Sequence, residues 1–391
     1  MGTDYLAPAR ALAPELNELR RAIHRHPELG NQEYQTAALV EKTLQSCGLE
    51  TRRLLDTAVV GVLRGGLPGP CAALRADMDA LPVREETGAA FASEVPGVMH
   101  ACGHDVHTAA ALGAATLLAA RRDTLPGSEV VLFQPAEEGN GGAARMIREG
   151  CLEGVDAVFG AHVSPDLPAG RAGFRYGKFY AASDMFTVTL KGRSAHGAER
   201  ERGVDALEAA AALVTALLKL PDFFPGERSV VHVGTLRAGT AGNVVADAAE
   251  LTGILRTLGQ DTRAAMRERF VRTVEDLSAR MGVTPDIALR ESYPGVVNHD
   301  DMTALAEAAA RTLLGPENVS RVPEPTMGTE DFGYFLLERP GCFYHIGAGC
   351  PLPLHNSGFL PDDDAVVTAA ALHAAVIDLF LRGGEDGSRK A

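Results

Sequence analysis

Apolar residues recur at helical spacing in some segments of the chain and form short runs in others. Helical spacing over residues 8–26, which ends at His26-Pro27, and an Ala/Leu-rich stretch over residues 104–122 each predict a helix. Short apolar runs predict buried strands at residues 59–63, 71–74, 129–133 and 155–159. Because these strands alternate with helices, we expect an α/β domain with a mostly parallel sheet covered by helices on both faces.

From about residue 181 the pattern changes to strand, helix, strand, strand, helix, strand. The predicted elements are residues 185–191, 204–220, 229–236, 245–258, 262–281 and 284–289. This order is typical of a ferredoxin-like α+β unit. The first pattern then resumes, with predicted elements at residues 301–314, 342–346 and 362–382.

The sequence therefore predicts two domains, one inserted in the other. Residues 1–180 and 295–391 form the α/β domain, and residues 181–294 form the inserted α+β domain. The final nine residues, 383–391, are polar and Gly-rich, and we expect them to be disordered.

Composition and charge narrow the classes of partner. Of 391 residues, 46% are hydrophobic and 23% charged, which is typical of a globular protein. The 51 Asp and Glu outnumber the 37 Lys and Arg, and the resulting net charge of −14 disfavours nucleic acid as a partner. The N-terminal residues lack the apolar segment of a secretory signal, and no stretch of about 18 residues is apolar throughout, so we expect no membrane segment. The six cysteines show no paired spacing and indicate reduced thiols in a cytoplasmic protein.

Residues with metal-ligand chemistry follow the predicted strands, where ligands gather in open α/β sheets. They are Asp77 and Asp79 after residues 71–74, Cys102 and His104 at the start of a helix, Glu137 and Glu138 after residues 129–133, His162 after residues 155–159, and His355 near the C-terminus. A two-metal hydrolytic site needs ligands on each ion and a carboxylate that accepts a proton from water. Cys102, His104, Glu138, His162 and His355 suit the ligand roles, which leaves Glu137 as the base.

Each of these motifs has a simpler interpretation when it stands alone. The aspartates can serve turns and helix caps, and Cys102 can be a buried apolar thiol. Glu137-Glu138 can be a solvated surface pair, and a single His often only makes hydrogen bonds. The clustering of ligand types at successive strand ends favours the metal interpretation.

At these residues the chain resembles the di-metal aminoacylase and carboxypeptidase superfamily. More narrowly it is similar to the amidohydrolase branch of hippurate hydrolases, N-acyl-amino-acid deacylases and plant auxin-conjugate hydrolases. The matching segments, in chain order, are 20–29, 77–79, 99–107, 133–139, 194–196, 328–332 and 354–356.

This resemblance implies the role of each candidate residue. It implies that Cys102, His104, Glu138, His162 and His355 bind two divalent ions, with Glu137 as general base and Asp79 orienting a ligand. The inserted domain would be the family's lid or dimerisation domain, and its His196 would polarise the scissile carbonyl, often from a neighbouring subunit. Asn243 and Arg256 would contact the substrate carboxylate. The mixed ligand set suits zinc, manganese, cobalt or nickel.

One segment departs from the pattern of the branch. Relatives commonly carry a Pro-His pair after the residue that matches His196, whereas this chain has Gly197-Ala198-Glu199 followed by Arg200-Glu201-Arg202. The departure leaves the acyl-group preference and the geometry of the inserted domain open.

The residues and the resemblance together predict a metal-dependent amidohydrolase that cleaves N-acyl amino acids to a carboxylic acid and an amino acid. The resemblance alone implies a homodimer through the inserted domain. A metallo-aminopeptidase or dipeptidase would use the same ions but would recognise a free α-amine. A non-catalytic metal-binding protein is the alternative from another class, and it would not need Glu137 and Asp79 beside the ligand set.

Overall fold

The computed structural model describes residues 3–139 and 141–383, and it divides into two compact units. The first unit runs to Gly177 and continues in Asn298–Pro323 and from Tyr334 onward. The second comprises Lys178–Val297 together with Glu324–Gly333. Residues 384–391, which include most of the tail expected to be disordered, lie outside the described residues.

The sequence-based domain boundaries do not assign Glu324–Gly333 to the inserted unit. Backbone hydrogen bonds attach this segment to the start of that unit, from Thr326 N–H to the Phe179 carbonyl at 2.9 Å and from Ala181 N–H to the Gly328 carbonyl at 3.0 Å. These bonds join residues far apart in the chain, so local hydrophobic patterning carries no signal for them.

The described chain contains ten α-helices and fourteen strands. Up to residue 180 they are α1 (Leu6–Ala11), α2 (Ala13–Arg25), α3 (Tyr34–Ser46), β1 (Glu50–Leu54), β2 (Ala58–Arg64), β3 (Leu67–Asp77), α4 (His104–Ala119), β4 (Pro126–Gln134), α5 (Ala143–Arg148), β5 (Ala157–Ser164), β6 (Ala172–Phe174) and β7 (Gly177–Tyr180). The next are β8 (Ala182–Lys191), α6 (Ala206–Leu217), β9 (Ser229–Ala238), β10 (Ala248–Thr257), α7 (Gln260–Met281) and β11 (Thr284–Glu291). The last are β12 (Val296–Asn298), α8 (Asp300–Leu314), β13 (Val319–Arg321), α9 (Gly333–Glu338), β14 (Gly341–Gly347) and α10 (Asp363–Leu381).

The first unit is built on an eight-stranded sheet of order β1-β2-β4-β3-β5-β14-β6-β13. The central strands β4, β3, β5 and β14 are parallel, whereas β2 pairs antiparallel with both β1 and β4, and β6 pairs antiparallel with β14. All eight residues of β5 are buried, and because neighbouring side chains of a strand point to opposite faces, both faces are covered there. The expected α/β class with a mostly parallel sheet is confirmed. Antiparallel pairs lie toward the margins of this sheet.

Helices α4 and α10 pack against each other and against the central strands. By length and composition α10 could cross a membrane, but 83% of its apolar window is buried inside the protein, as in a core helix. Its apolar character therefore serves the hydrophobic core of the first unit.

The expected first helix, residues 8–26, is in fact two helices. Helix α1 ends at Ala11 and α2 begins at Ala13, with Pro14 in its first turn. Proline has no N–H and is tolerated in the first turn of a helix but not in its interior, so Pro14 starts a new helix. Helix α2 ends at Arg25, one residue before His26-Pro27, as the proline predicts.

The second unit has the element order that the sequence predicts. Its antiparallel sheet has the order β11-β8-β10-β9, and α6 and α7 pack against each other and on this sheet. Helix α6 begins after Asp205, whose side chain accepts hydrogen bonds from the N–H groups of Leu207 and Glu208. The topology is that of a ferredoxin-like unit.

Candidate metal and catalytic site

The candidate site of the first unit lies where parallel strands end. Strand β3 ends at Asp77, two residues before Asp79, and β4 ends at Gln134, three residues before Glu137. Because parallel strands present their carboxyl ends at one edge of the sheet, these carboxylates meet there.

The N-terminus of α4 brings Cys102 and His104 to the same edge. Between them Gly103 has a left-handed φ of 85°, which suits glycine. A Cβ at this position would lie 2.5 Å from Val163 Cγ2. The close approach to β5 and the left-handed turn both require a glycine here, and the turn aims Cys102 and His104 into one cluster.

The five expected metal ligands gather into overlapping groups. Cys102 Sγ lies 3.3 Å from His162 Nε2, and His355 Nε2 lies 3.2 Å from Glu138 Oε1. Three of the groups whose ligand atoms lie within 4.8 Å of one another contain these residues together with Glu137: Cys102, His104 and His162; Cys102, Glu138 and His355; and His104, Glu137 and Glu138. Since they share Cys102, His104 and Glu138, they form one continuous site large enough for more than one ion.

His162 reaches the site from within a strand, whereas the sequence placed it after a strand end. Strand β5 continues to Ser164. His162 Nδ1 faces the carbonyl of Val163 at 2.7 Å, and donation to that carbonyl leaves Nε2 available as a ligand atom. The Gly-Ala pair before His162 weakens the apolar pattern, which explains the early end assigned to the strand.

His355 belongs to a loop near the C-terminus. Its φ of 66° lies in the left-handed region, which is uncommon for a residue with a side chain. Its N–H donates to the carbonyl of Ala101 at 2.8 Å, which ties this loop to the chain next to Cys102. About half of its side chain is exposed, so His355 lies at the open side of the site.

The donors fit divalent metal ions. Both ring nitrogens of His104 and Oε1 of Glu138 are buried, and their contacts with described residues, such as those of Asp79 and His355, do not have hydrogen-bond geometry. Leaving buried polar atoms without partners costs free energy unless an ion or water completes them. A set of thiol, imidazole and carboxylate is the donor chemistry of transition-metal sites.

The acidic groups dominate the electrostatics of the site. Burial alone disfavours the charged form of His104, but the nearby carboxylates, Asp77 first, raise its pKa to about 10. Burial raises the pKa of the Cys102 thiol well above its usual value, and Glu138 and Glu137 add to this effect. A bound cation would favour the thiolate and compensate the carboxylates.

Asp79 holds the turn that carries Glu137 and Glu138. Its two carboxylate oxygens accept hydrogen bonds from the N–H groups of Glu137 and Glu138, each at 3.0 Å. Asp79 Oδ1 also lies 3.3 Å from His104 Nδ1. Asp79 therefore lies behind His104 and the Glu137-Glu138 pair, where a residue that orients them would lie.

Two further residues support the site: Asp77, a candidate to which reasoning from the sequence assigned no specific role, and His107, which that reasoning did not single out. Asp77 is fully buried and accepts hydrogen bonds from Arg75 Nη1 and His107 Nδ1, each at 2.6 Å. His107 Nε2 in turn accepts the Val163 N–H at 2.9 Å. The ligand atom of His107 also lies within 4.8 Å of those of Asp77 and His104, but both ring nitrogens of His107 already make hydrogen bonds, which indicates a support for β5 next to His162. The spacing of His104 and His107 along α4 is the only sequence signal for it.

In the second unit, His196 and Asn243 lie on adjacent segments. His196 forms an isolated β-bridge with Val244, and Gly197 N–H donates to the Asn243 carbonyl at 2.8 Å. His196 is exposed, and its Nδ1 accepts the Ala198 N–H at 3.1 Å. In the neutral ring the proton is then on Nε2, which can donate a hydrogen bond outward.

Arg256 lies on β10 of the second unit, opposite Ser183 of β8 and Val230 of β9. Its Nη1 is buried and makes no hydrogen bond with the described residues. An unpartnered guanidinium nitrogen is suited to a carboxylate ligand.

Comparisons with known proteins show the family to which the chain belongs. The sequence model of Peptidase family M20/M25/M40 matches residues 73–378. The chain belongs to this family. The M20 match spans every expected metal ligand and confirms the resemblance to the di-metal aminoacylase and carboxypeptidase superfamily.

Two M20 relatives and one solved structure illustrate the similarity. The chain is 38% identical to thermostable carboxypeptidase 1 of Saccharolobus solfataricus over 93% of this chain and 94% of that one. It is 37% identical to N-acetyl-L-cysteine deacetylase of Bacillus subtilis over 92% of this chain and 86% of that one. The crystal structure of the Bacillus subtilis YXEP protein, described as a dinuclear metal-binding peptidase from the M20 family, has a TM-score of 0.86 and 34% identity, covering 95% of this chain and 99% of that chain.

Proposed function

We propose that this M20 protein is a metal-dependent amidohydrolase that cleaves N-acyl amino acids to a carboxylic acid and a free amino acid. The observation that carries the proposal is the continuous donor set around Cys102, His104 and Glu138, with the adjacent carboxylate of Glu137. The similarity to a deacetylase and a carboxypeptidase supports it, because both names denote enzymes that hydrolyse an amide bond and release an amino acid.

We assign two divalent ions to Cys102, His104, Glu138, His162 and His355, and zinc, manganese, cobalt and nickel are the candidates for their identity. Such a pair would lower the pKa of a water molecule and polarise the scissile carbonyl. Glu137 accepts the proton of the attacking water and returns it to the leaving nitrogen. Its burial, with 6% of the residue exposed, favours proton transfer to the substrate over exchange with solvent.

The second unit supplies the remaining roles. His196 Nε2–H donates to the oxygen that becomes negatively charged in the transition state. Arg256, with its unpartnered buried nitrogen, and Asn243 bind the carboxylate of the substrate. An arginine here also offsets the repulsion between an anionic substrate and a protein of net charge −14.

We further propose a homodimer through the second unit and a cytoplasmic location, with no nucleic-acid or membrane partner. The six cysteines, all without a disulfide, support the location. The mass of the protein in solution tests the dimer.

The activity is tested by release of free amine from N-acetyl, N-benzoyl and longer N-acyl amino acids after reconstitution with each metal. We expect release by the wild type, and a loss of at least about 100-fold in kcat for Glu137→Gln, the usual contribution of a general base, with metal content unchanged. Full activity of Glu137→Gln would refute its role as base. The same assay with unblocked dipeptides tests the alternative. Faster turnover of these than of the N-acyl amino acids would indicate an aminopeptidase or dipeptidase. No turnover of either class with two bound metals would indicate a non-catalytic protein.

A further inference from the structure

The turn that carries Glu137 has three consecutive N–H groups directed at two carboxylates. Ala136 N–H donates to Glu33 Oε1 at 2.9 Å, and the next two N–H groups donate to Asp79 at 3.0 Å each. Glu33 and Asp79 are both buried, with 0% and 2% of each residue exposed. From Ala136 to Glu138, each backbone N–H thus donates to a carboxylate from elsewhere in the unit.

Ala136 has an unusual backbone conformation. Its φ of 55° lies in the left-handed region, which residues other than glycine rarely adopt. Such conformations persist only where the surroundings hold them. Successive N–H groups around a left-handed residue form a concave anion site, and here the anions are the side chains of Glu33 and Asp79. Glu33 is the partner of the strained residue itself.

Glu33 is itself well fixed. It directly precedes helix α3, which packs against β2 and α4, and its Oε1 also accepts the Asn31 N–H at 3.0 Å. The segment before it packs closely on the turn, since a Cβ on Gly30 would lie 3.0 Å from both Cα and Cβ of Ala136. Motion of the turn is therefore restricted by a hydrogen bond and by packing.

We propose that Glu33 is a positioning residue for Glu137: by accepting the Ala136 N–H it holds the left-handed turn that directs the Glu137 carboxylate into the site. The proposal rests on the proposed function, because Glu137 is the base of that reaction. Asp79 holds the N–H groups of Glu137 and Glu138 but does not reach that of Ala136, so it does not replace Glu33.

The test compares Glu33→Met with Glu33→Gln. Methionine keeps the length of the side chain but cannot accept the hydrogen bond, whereas glutamine retains an acceptor oxygen. We expect Glu33→Met to lower kcat about 10- to 100-fold, as for other residues that orient an active-site group, with KM and the metal content of the purified protein close to wild type. We expect Glu33→Gln to restore most of kcat.

Glu129→Met is the matched control. Glu129 is equally buried, at 0% exposure, but neither of its oxygens makes a hydrogen bond with the described residues. The same chemical change there should leave kcat within about twofold of wild type, since no hydrogen bond is lost. Equal losses in both variants would mean that any change of a buried glutamate impairs the protein, and they would overturn the proposal.

A second variant covers the case in which Glu33→Met does not fold. Gly30→Ala keeps Glu33 and places a methyl group against Ala136. Displacement of the turn should lower kcat with metal content retained. Wild-type kcat in Gly30→Ala would contradict the claim that the position of this turn controls the base.

Hydrogen–deuterium exchange separates the inference from the proposed function, because it needs no substrate. Peptides covering residues 134–139 should exchange faster in Glu33→Met than in wild type or Glu129→Met. Unchanged exchange there would overturn the inference whatever the enzyme hydrolyses. If Glu33→Met exchanges faster but the wild type cleaves none of the N-acyl amino acids, the turn depends on Glu33 as inferred, and only the proposed function is refuted. Faster exchange with unchanged kcat in an active enzyme would show that the turn does not position the base.

Discussion

At the scale of single residues, the acidic groups of the site differ in what holds them. Asp77 is paired with the side chains of Arg75 and His107, whereas Asp79 accepts backbone N–H groups. Burial works against ionisation of Asp77, but His104, Arg75 and His107 hold its pKa well below the usual range. Asp77 therefore remains a carboxylate and keeps the Nδ1 proton of His107, which leaves Nε2 of that ring to accept the Val163 N–H.

Replacement of His107 tests the distinction between a support and a ligand. His107→Leu removes the donor to Asp77 and the acceptor for Val163 N–H, next to His162. We expect two metals per chain at saturation, bound about 10- to 100-fold more weakly. His162→Ala should instead lower the stoichiometry to one. Titration of the metal-free proteins with zinc or cobalt measures both quantities, and a single metal in saturated His107→Leu would make His107 a ligand.

At the scale of elements, the N-terminus of α4 connects the packing of the first unit with the positions of two expected metal ligands. Cys102 and His104 are adjacent to the left-handed Gly103, which lies against Val163 of β5. One glycine thus determines both how closely the helix approaches the strand and where two expected ligands point.

Gly103→Ala should destabilise the protein more than the same change at Gly88. Both glycines are left-handed, with φ of 85° and 69°, and an L-residue in this region costs roughly 1–2 kcal/mol. A Cβ at Gly88 meets nothing within 4 Å, whereas at Gly103 it would lie 2.5 Å from Val163 Cγ2. The midpoint of urea unfolding without metal should therefore fall further for Gly103→Ala. Equal shifts in the two variants would show that β5 yields to the methyl group at no cost.

Local patterns predicted most elements because each carries its own apolar periodicity. The six elements from β8 to β11 match the predicted order, and the ligands Cys102, His104 and Glu138 meet as their positions at strand and helix ends predict. The break at Pro14 escapes prediction because helical spacing continues on both sides of it, and the late end of β5 escapes prediction because Gly160-Ala161 weakens the apolar pattern before His162. The antiparallel margins of the large sheet and the contacts of Glu33 and His107 depend on long-range pairing, which one sequence does not reveal.

At the scale of the whole molecule, the metal site lies in the first unit and His196, Asn243 and Arg256 lie in the second. In the proposed reaction, Glu137 of the first unit transfers the proton, whereas Asn243 and Arg256 of the second bind the substrate carboxylate and His196 stabilises the negatively charged oxygen. Variants of Glu137 and of Arg256 should therefore affect different constants, kcat for the first and KM for the second. Arg256→Met should raise KM for N-acyl amino acids by about 10-fold or more, because a charged hydrogen bond to the substrate is lost, with less effect on the corresponding amino-acid amides. An equal effect on acids and amides would contradict the assignment.

The pH dependence of the free energy of unfolding should reflect the titration of one buried carboxyl group, that of Glu129. Glu129 lies in the middle of β4, between Leu63 of β2 and Ala72 of β3, and burial raises its pKa to about 8. Between the ordinary pKa of glutamate and this value, the folded protein keeps a proton that the unfolded chain releases. Its contribution therefore lowers the free energy of unfolding as pH rises, by at most about 1.4 kcal/mol per pH unit, and becomes constant above about pH 8. Glu129→Gln stays neutral, so its advantage in urea midpoint over wild type should grow from pH 5 to pH 8. A constant difference across this range would mean that Glu129 is ionised in the folded protein and that a water or cation compensates it.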